Sequence, residues 1–200
     1  MTGKFGIIVL AAGSSSRLGA PKQLLSYNDK NLLDHVIEEA KKTADGKVVV
    51  ILGGNHQQIA GNINSPGIKV IYNPDWEEGM SSSIRTGLAG LKRENKDLDG
   101  VILAVCDQPF ITAELFSALI AEARSTGKSI VASAYGGILG TPVLFTPVHF
   151  KDLEKLKGKE GAKILLDQYR ENVTSVPFEN GEIDIDTPED YHKLINSNTK

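Results

Sequence analysis

Apolar residues fall along the chain in two patterns, short unbroken runs and helix-spaced stripes, and the two alternate. Phe5-Gly6-Ile7-Ile8-Val9-Leu10 is an unbroken, β-branched run of the kind a strand shows when both of its faces are covered. Between Asn31 and about Thr43, Leu32, Leu33, Val36, Ile37 and Ala40 recur at helical spacing with acids and lysines opposite. A second run over Lys47 to Leu52, a weak helix from His56 to about Ile63 and a third strand over Lys69 to Tyr72 complete a β-α-β-α-β series, half of a doubly wound sheet. Gly100 to Cys106 is the most apolar run and predicts a mid-sheet strand. Next come a helix over about Thr112 to Ser125, a fifth strand over Ser129 to Tyr135, a hairpin-like glycine turn over Gly136 to Pro142 and a sixth strand over Val143 to Phe145. Ile164 to Tyr169 reads as helical, and Glu182 to Asp186 alternates so that Asp184 and Asp186 share one face of a strand. Thr187-Pro188-Glu189-Asp190 then reads as cap, first-turn proline and capping-box acid of a last helix through Ile195. The pattern predicts an α/β fold, a doubly wound, mostly parallel sheet in three layers, with residues 1–200 as one domain.

Composition narrows the partners. With 40% hydrophobic and 24% charged residues and a net charge of −3, the chain offers no basic surface for nucleic acid or membrane, so a ligand must be held by local charge. A lone cysteine, Cys106, excludes an intrachain disulfide and a cysteine-clustered metal site, and fits a reducing compartment. Met1 to Gly6 lacks the features of an export signal and no run reaches membrane-spanning length, so a cytoplasmic location is expected.

The chemistry concentrates in Leu10-Ala11-Ala12-Gly13-Ser14-Ser15-Ser16-Arg17-Leu18-Gly19-Ala20-Pro21-Lys22. Small residues leaving the carboxyl end of a buried strand let backbone N–H groups approach an anion, and Arg17 and Lys22 add fixed positive charge. Exposed amides from Leu10 to Ser14 beside two cations suit a triphosphate. A P-loop is excluded because Leu18 stands where the second glycine is required, and the dinucleotide fingerprint because Ser15 takes its second glycine's place. Gly53-Gly54-Asn55 ends the second strand with another small-residue turn that could face the nucleotide, and the serines after Gly79 are good helix caps. Asp107, at the end of the central strand with Pro109 turning the chain, stands where magnesium bridging triphosphate oxygens would be wanted, although an aspartate there also serves as a turn-former or cap. Asp184 and Asp186 are costly as close like charges unless a cation joins them. None of the four histidines forms a pair with metal spacing.

The motif Leu-Ala-Ala-Gly-x-Ser-x-Arg-x-Gly-x-x-Lys resembles the signature of nucleotidyltransferases that build nucleoside-diphosphate sugars and molybdenum-cofactor dinucleotides. Asn-Pro-x-Trp-x-x-Gly-x-Ser-x-Ser, Cys-Asp-Gln-Pro and Ile-Asp-Thr-Pro-Glu-Asp look like further motifs of the molybdenum cofactor cytidylyltransferases in the MobA-like NTP transferase family, so the resemblance runs from Phe5 to about Leu194. It implies a Rossmann-like nucleotidyltransferase fold and transfer of a nucleoside monophosphate from CTP to molybdopterin, with release of pyrophosphate. It implies Gly79 and Ser82 as nucleotide contacts, Asp107 and Asp186 as magnesium ligands, and Arg17, Lys22 and Asp107 as the catalytic set. Leu-Ala-Ala-Gly rather than Leu-Ala-Gly-Gly is the pattern associated with cytidine over guanosine. The acceptor would lie against residues 136–142 and 158–163, where Thr141 stands in place of histidine, Lys159 of the acid and Lys163 of arginine. A molybdoenzyme or chaperone is the protein partner this suggests, and a monomer or weak dimer the assembly. The alternatives are GMP transfer to molybdopterin, transfer to a sugar phosphate, and a nucleotide-binding or chaperone module without turnover.

Overall fold

The structure, a computed structural model, describes residues 4–43, 47–159 and 161–197. Met1 to Gly3, part of the stretch read for an export signal, and Glu160 of the expected acceptor segment lie outside the described residues. In chain order the strands are β1 (Phe5–Ala11), β2 (Ser26–Tyr27), β3 (Lys30–Asn31), β4 (Val48–Leu52), β5 (Lys69–Tyr72), β6 (Gly100–Val105), β7 (Ile130–Tyr135), β8 (Ile138–Phe145) and β9 (Val173–Pro177). The helices are α1 (Leu32–Thr43), α2 (His56–Ala60), α3 (Met80–Glu94), α4 (Ala113–Thr126), α5 (Phe150–Lys155), α6 (Lys163–Gln168) and α7 (Pro188–Ser197).

Seven strands form one sheet in the order β5-β4-β1-β6-β8-β7-β9, and β2 and β3 make a separate small hairpin. Within the large sheet β8 runs antiparallel to both neighbours, β6 and β7, while the other pairings are parallel. The chain runs outward from β1 through β4 to β5, then crosses back to lay β6 on the other side of β1. The carboxyl ends of β1 and β6, in register at Leu10 and Val105, therefore flank a topological switch point. Open α/β sheets bind their ligands in that crevice, because the loops diverge there.

The unbroken apolar runs have the cause expected of them. Successive side chains of β1 point to opposite faces, so Ile7, Val9 and Ala11 join Leu33, Val36, Ile37, Phe116 and Leu119 in one core layer. Ile8 and Leu10 join Ile84, Leu88, Leu91, Leu153 and Leu165 in the other. This is the three-layer, doubly wound architecture that the hydrophobic pattern predicts.

Local differences are instructive. Residues 182–186 form no strand: Ile183 N–H donates to the Asn180 carbonyl in a turn, and Ile185 N–H donates to the Asp107 carbonyl at 3.0 Å. The alternation reflects one anchored side chain, since Ile185 is buried with Tyr27, Leu32 and Leu194 in a small third core. Strand β9 was not legible because it is an edge strand carrying Thr174, Ser175 and Pro177, with little apolar signal. Strand β8 begins at Ile138, five residues before the expected strand, and α2 ends at Ala60. Among the described residues no helix is long and apolar enough to cross a membrane.

Candidate active site

The glycine-rich loop leaves β1 at Ala12 and re-enters regular structure in a 3-10 turn, Lys22–Leu24. Two features fix its path. Ser15 adopts a left-handed conformation (φ 54), and its hydroxyl accepts a hydrogen bond from Lys22 N–H at 3.0 Å. Gln23, fully buried, donates through its side-chain amide to the carbonyls of Ala11 at 2.8 Å and Gly13 at 3.1 Å. The loop is thus tied down from beneath, leaving Gly13 and Ser14 exposed.

Beside it the turn after β6 presents Asp107, and the Ile185–Asp107 backbone hydrogen bond carries Asp186 to the same place. Lys22 Nζ lies 2.5 Å from Asp107 Oδ2 and 2.9 Å from Asp186 Oδ1, and Arg17 donates to the second Asp186 oxygen at 2.7 Å. Two carboxylates separated widely in sequence thus converge on one cation. Burial by itself would lower the Lys22 pKa, but the adjoining Asp107 and Asp186 outweigh it and hold the ammonium above the ordinary lysine range. Hydrogen bonding from Lys22 depresses the Asp186 carboxyl, with Arg17 adding to the effect. Asp184 shifts the other way, raised by partial burial and by the charges of Asp107 and Asp186. Burial disfavours the ionised form of a carboxylate, and the neighbouring like charges of Asp107 and Asp186 act in the same direction.

The donor set fits such an ion. Among the described residues no group of three or more His, Cys, Asp or Glu side chains could hold a metal, and the two carboxylates that meet here are those of Asp107 and Asp186. Magnesium is commonly held by one or two carboxylates, with substrate phosphates and water completing its shell. The Lys22 ammonium stands between the carboxylates as a monovalent counterpart, and their side chains, 18% and 31% exposed, remain open to solvent.

A cavity of about 340 Å³ opens over this cluster. Of the residues singled out from the sequence, it brings together Leu10, Ala11, Ala12, Gly13, Ser14, Lys22, Gly79 and Asp107. Arg17 and Asp186 stand outside the lining, tied to it through the ion pairs. Gly53 does not line the cavity either: a Cβ there would meet the Ala12 carbonyl at 2.5 Å and Trp76 Cβ at 2.6 Å, so its bareness lets Trp76 close on the loop. Ser82 is buried with its hydroxyl 2.8 Å from the Asp75 carbonyl and 2.9 Å from the Gly79 carbonyl, accepting from Asn73 at 2.8 Å. It shapes the segment that carries Trp76. Gln23, Trp76, Met80 and Ser83 also line the cavity. Trp76 and Ser83 sit within a stretch the sequence had already marked, whereas Gln23 carries no signal beyond being polar next to Lys22.

A second cavity, about 230 Å³, abuts the first through Leu10 and Met80. Its walls are largely apolar, with Ile84, Leu103, Ile138, Leu139 and Val143, and its polar members include Thr141 and Lys163 from the two segments expected to meet the acceptor. A larger depression of about 440 Å³ beyond it, against Arg170 and Thr174, contains none of the carboxylate cluster. Three of the four histidines are engaged elsewhere: His35 with the Ile111 carbonyl, His56 stacked on Tyr72, and His149 with Ser129.

Comparison with known proteins shows the family. The family described as MobA-like NTP transferase domain matches residues 7–173. The chain is 30% identical to the molybdenum cofactor cytidylyltransferase of Escherichia coli over 92% of both chains. It is 27% identical to nicotine blue oxidoreductase of Paenarthrobacter nicotinovorans, over 94% of this chain and 95% of that one. Among solved structures it resembles an Rv0371c homologue from Mycobacterium sp. strain JC1, with a TM-score of 0.85, 32% identity and 96% of each chain covered. Rv0371c of Mycobacterium tuberculosis in complex with manganese gives a TM-score of 0.79 and 26% identity, over 97% of this chain and 99% of that one.

Proposed function

The chain belongs to the MobA-like NTP transferase family, and from that membership and the geometry of its site we propose that it transfers a nucleoside monophosphate, CMP from CTP, to the phosphate of molybdopterin with release of pyrophosphate. The observation that carries the reading is the convergence of Asp107 and Asp186 on Lys22 at the mouth of a cavity floored by Leu10 to Ser14. A triphosphate there meets loop amides and the positive charges of Lys22 and Arg17, while Trp76 and Met80 bound the space left for base and ribose. A magnesium ion held by Asp107 and Asp186 would neutralise charge on the phosphate oxygens, and the manganese complex of Rv0371c supports a divalent ion on this scaffold.

The reaction asks little covalent chemistry of the protein. An acceptor phosphate is already ionised near neutral pH, so it attacks the α-phosphorus in line without a strong base, and positioning and charge neutralisation carry the rate. Lys22 and Arg17 stabilise the charge that builds on the departing pyrophosphate. The apolar cavity beside the first supports an acceptor site next to the nucleotide, with Lys163 in its lining available to an anionic group. The nearest variants are GMP transfer to molybdopterin and transfer to a sugar phosphate. Incubating the protein with magnesium, each triphosphate and each acceptor and measuring pyrophosphate separates them, and turnover with GTP alone would sink the cytidine assignment. Asp107→Asn should lower pyrophosphate release by at least about 100-fold, since metal charge stabilisation supplies several kcal/mol; an unchanged rate would refute the metal role. The oxidoreductase relative favours a second reading, redox chemistry on this scaffold, which oxidation of a reduced nicotinamide without pyrophosphate release would support.

A further inference from the structure

The fully buried side chain beneath the phosphate loop has a bonding pattern that only a carboxamide can satisfy. Gln23 Nε2 donates to the Ala11 and Gly13 carbonyls, and its Oε1 accepts from the Ser15 hydroxyl at 3.3 Å, so one side chain grips three alternate residues of the loop. A trans peptide sets each carbonyl opposite to the next N–H. Drawing the carbonyls of Ala11 and Gly13 down onto Gln23 therefore turns the N–H groups of Ala12 and Ser14 away from it. The Gly13 carbonyl would otherwise be free to rotate its lone pairs, rather than an amide, toward an anion. The Ser15 hydroxyl in turn accepts from Lys22 N–H, linking this brace to the 3-10 turn that carries Lys22 to the carboxylates.

We propose that Gln23 is the positioning residue that sets the polarity of the loop, holding its amides toward the phosphates of the nucleotide, an inference that rests on the nucleotide reading of this cavity. It acts through the loop and not by touching the reacting atoms. Its chemistry predicts an asymmetry between substitutions. Gln23→Glu keeps the shape but sets a carboxylate oxygen against the carbonyls in place of the donor. Gln23→Met keeps the volume and leaves them unpaired, a cost comparable to losing a buried hydrogen bond.

Calorimetric binding of tripolyphosphate with magnesium isolates the phosphate contacts from the base, and MgCTP and MgGTP report the whole nucleotide. Relative to wild type, Gln23→Glu is expected to weaken all three by about tenfold or more, the effect of losing roughly one well-placed hydrogen bond. KM for the nucleotide should rise in proportion, while kcat at saturation and KM for the acceptor change by less than about threefold. Gln23→Met should move the same parameters in the same direction, so the test survives if the glutamate variant fails to fold. Leu119→Ala, a core change on α4 outside the cavity lining, supplies a destabilised control that keeps wild-type tripolyphosphate affinity. Lowered thermal midpoints with unchanged affinities in both Gln23 variants would overturn the inference, leaving Gln23 a structural residue only. A wild-type protein that binds none of the three probes would overturn the nucleotide reading and this inference together, whereas wild-type binding matched by both variants overturns the inference alone.

Discussion

Cys106 and Asp107 are neighbours in the turn after β6 yet opposite in chemistry, because one side chain is buried in the core and the other faces the cavity. The Cys106 side chain is turned into the core with Ala104 and Ile111, and burial, then the charge of Asp107, pushes its thiol up to about 12. The thiolate is the reactive form, so the native protein should leave Cys106 unmodified by a disulfide reagent near pH 8 and yield one equivalent once unfolded; rapid stoichiometric reaction of the native protein would contradict this burial. Lys22 illustrates the other limit of reading residues singly. The sequence marked it as a cation for phosphate, and it marked Asp107 and Asp186 as carboxylates for metal. That one ammonium bridges both acids is a fact of distance, invisible until loops 85 and 164 positions away are brought together.

At the scale of elements, the segment from Asn73 into α3 shows how a loop becomes a wall. Asn73 is buried and donates to Ser82 and Ser83, Glu78 pairs with Arg85, and Arg85 also donates to the Leu156 carbonyl, so the segment is locked to α3 and to the turn after α5. Its hinge is Gly79, at φ 117 and ψ −171, where a Cβ would stand 2.8 Å from both the Gly158 carbonyl and Lys159 Cα. That backbone region is essentially confined to glycine and costs other residues about 1–3 kcal/mol. Gly79→Ala should therefore lower the thermal midpoint by several degrees, at roughly 2–4 °C per kcal/mol for a chain of this size. It should also weaken nucleotide binding, because Trp76 and Met80 flank the hinge; full binding and an unchanged midpoint would refute the strain. Elements with continuous burial were legible from the sequence: β1, β4 and β6 are apolar because helices cover both faces. Edge strand β9 and the irregular 182–186 segment were not, since burial there falls on isolated residues such as Val176 and Ile185.

For the whole molecule, the mostly parallel sheet and its two helical layers form the packed core and leave a crevice at the β1–β6 switch point. Polar side chains caught in that packing tie stability to pH. Burial lowers the pKa of His35 against the pull of Glu39, and that of His149 against Asp152. A histidine whose folded value lies below its unfolded value of about 6.5 favours the neutral form, so its contribution to stability is complete above that pH and lost as pH falls below it toward the folded value. The thermal midpoint should fall between about pH 7.5 and 5.5, and His149→Gln, which can still bond Ser129, should flatten the fall; equal slopes in both proteins would contradict it. Hydrophobic spacing by itself determined the layered α/β architecture, because strand and helix periods follow from which faces are buried. Local motif chemistry likewise determined that a small-residue loop with Arg17 and Lys22 stands at a strand's end. Only tertiary structure decided that Asp107 and Asp186 share a cation, that Gln23 braces the loop from beneath and that Gly53 yields its space to Trp76. Each of these depends on contacts between segments remote in sequence, fixed by strand order and loop packing, and no local pattern encodes such distances.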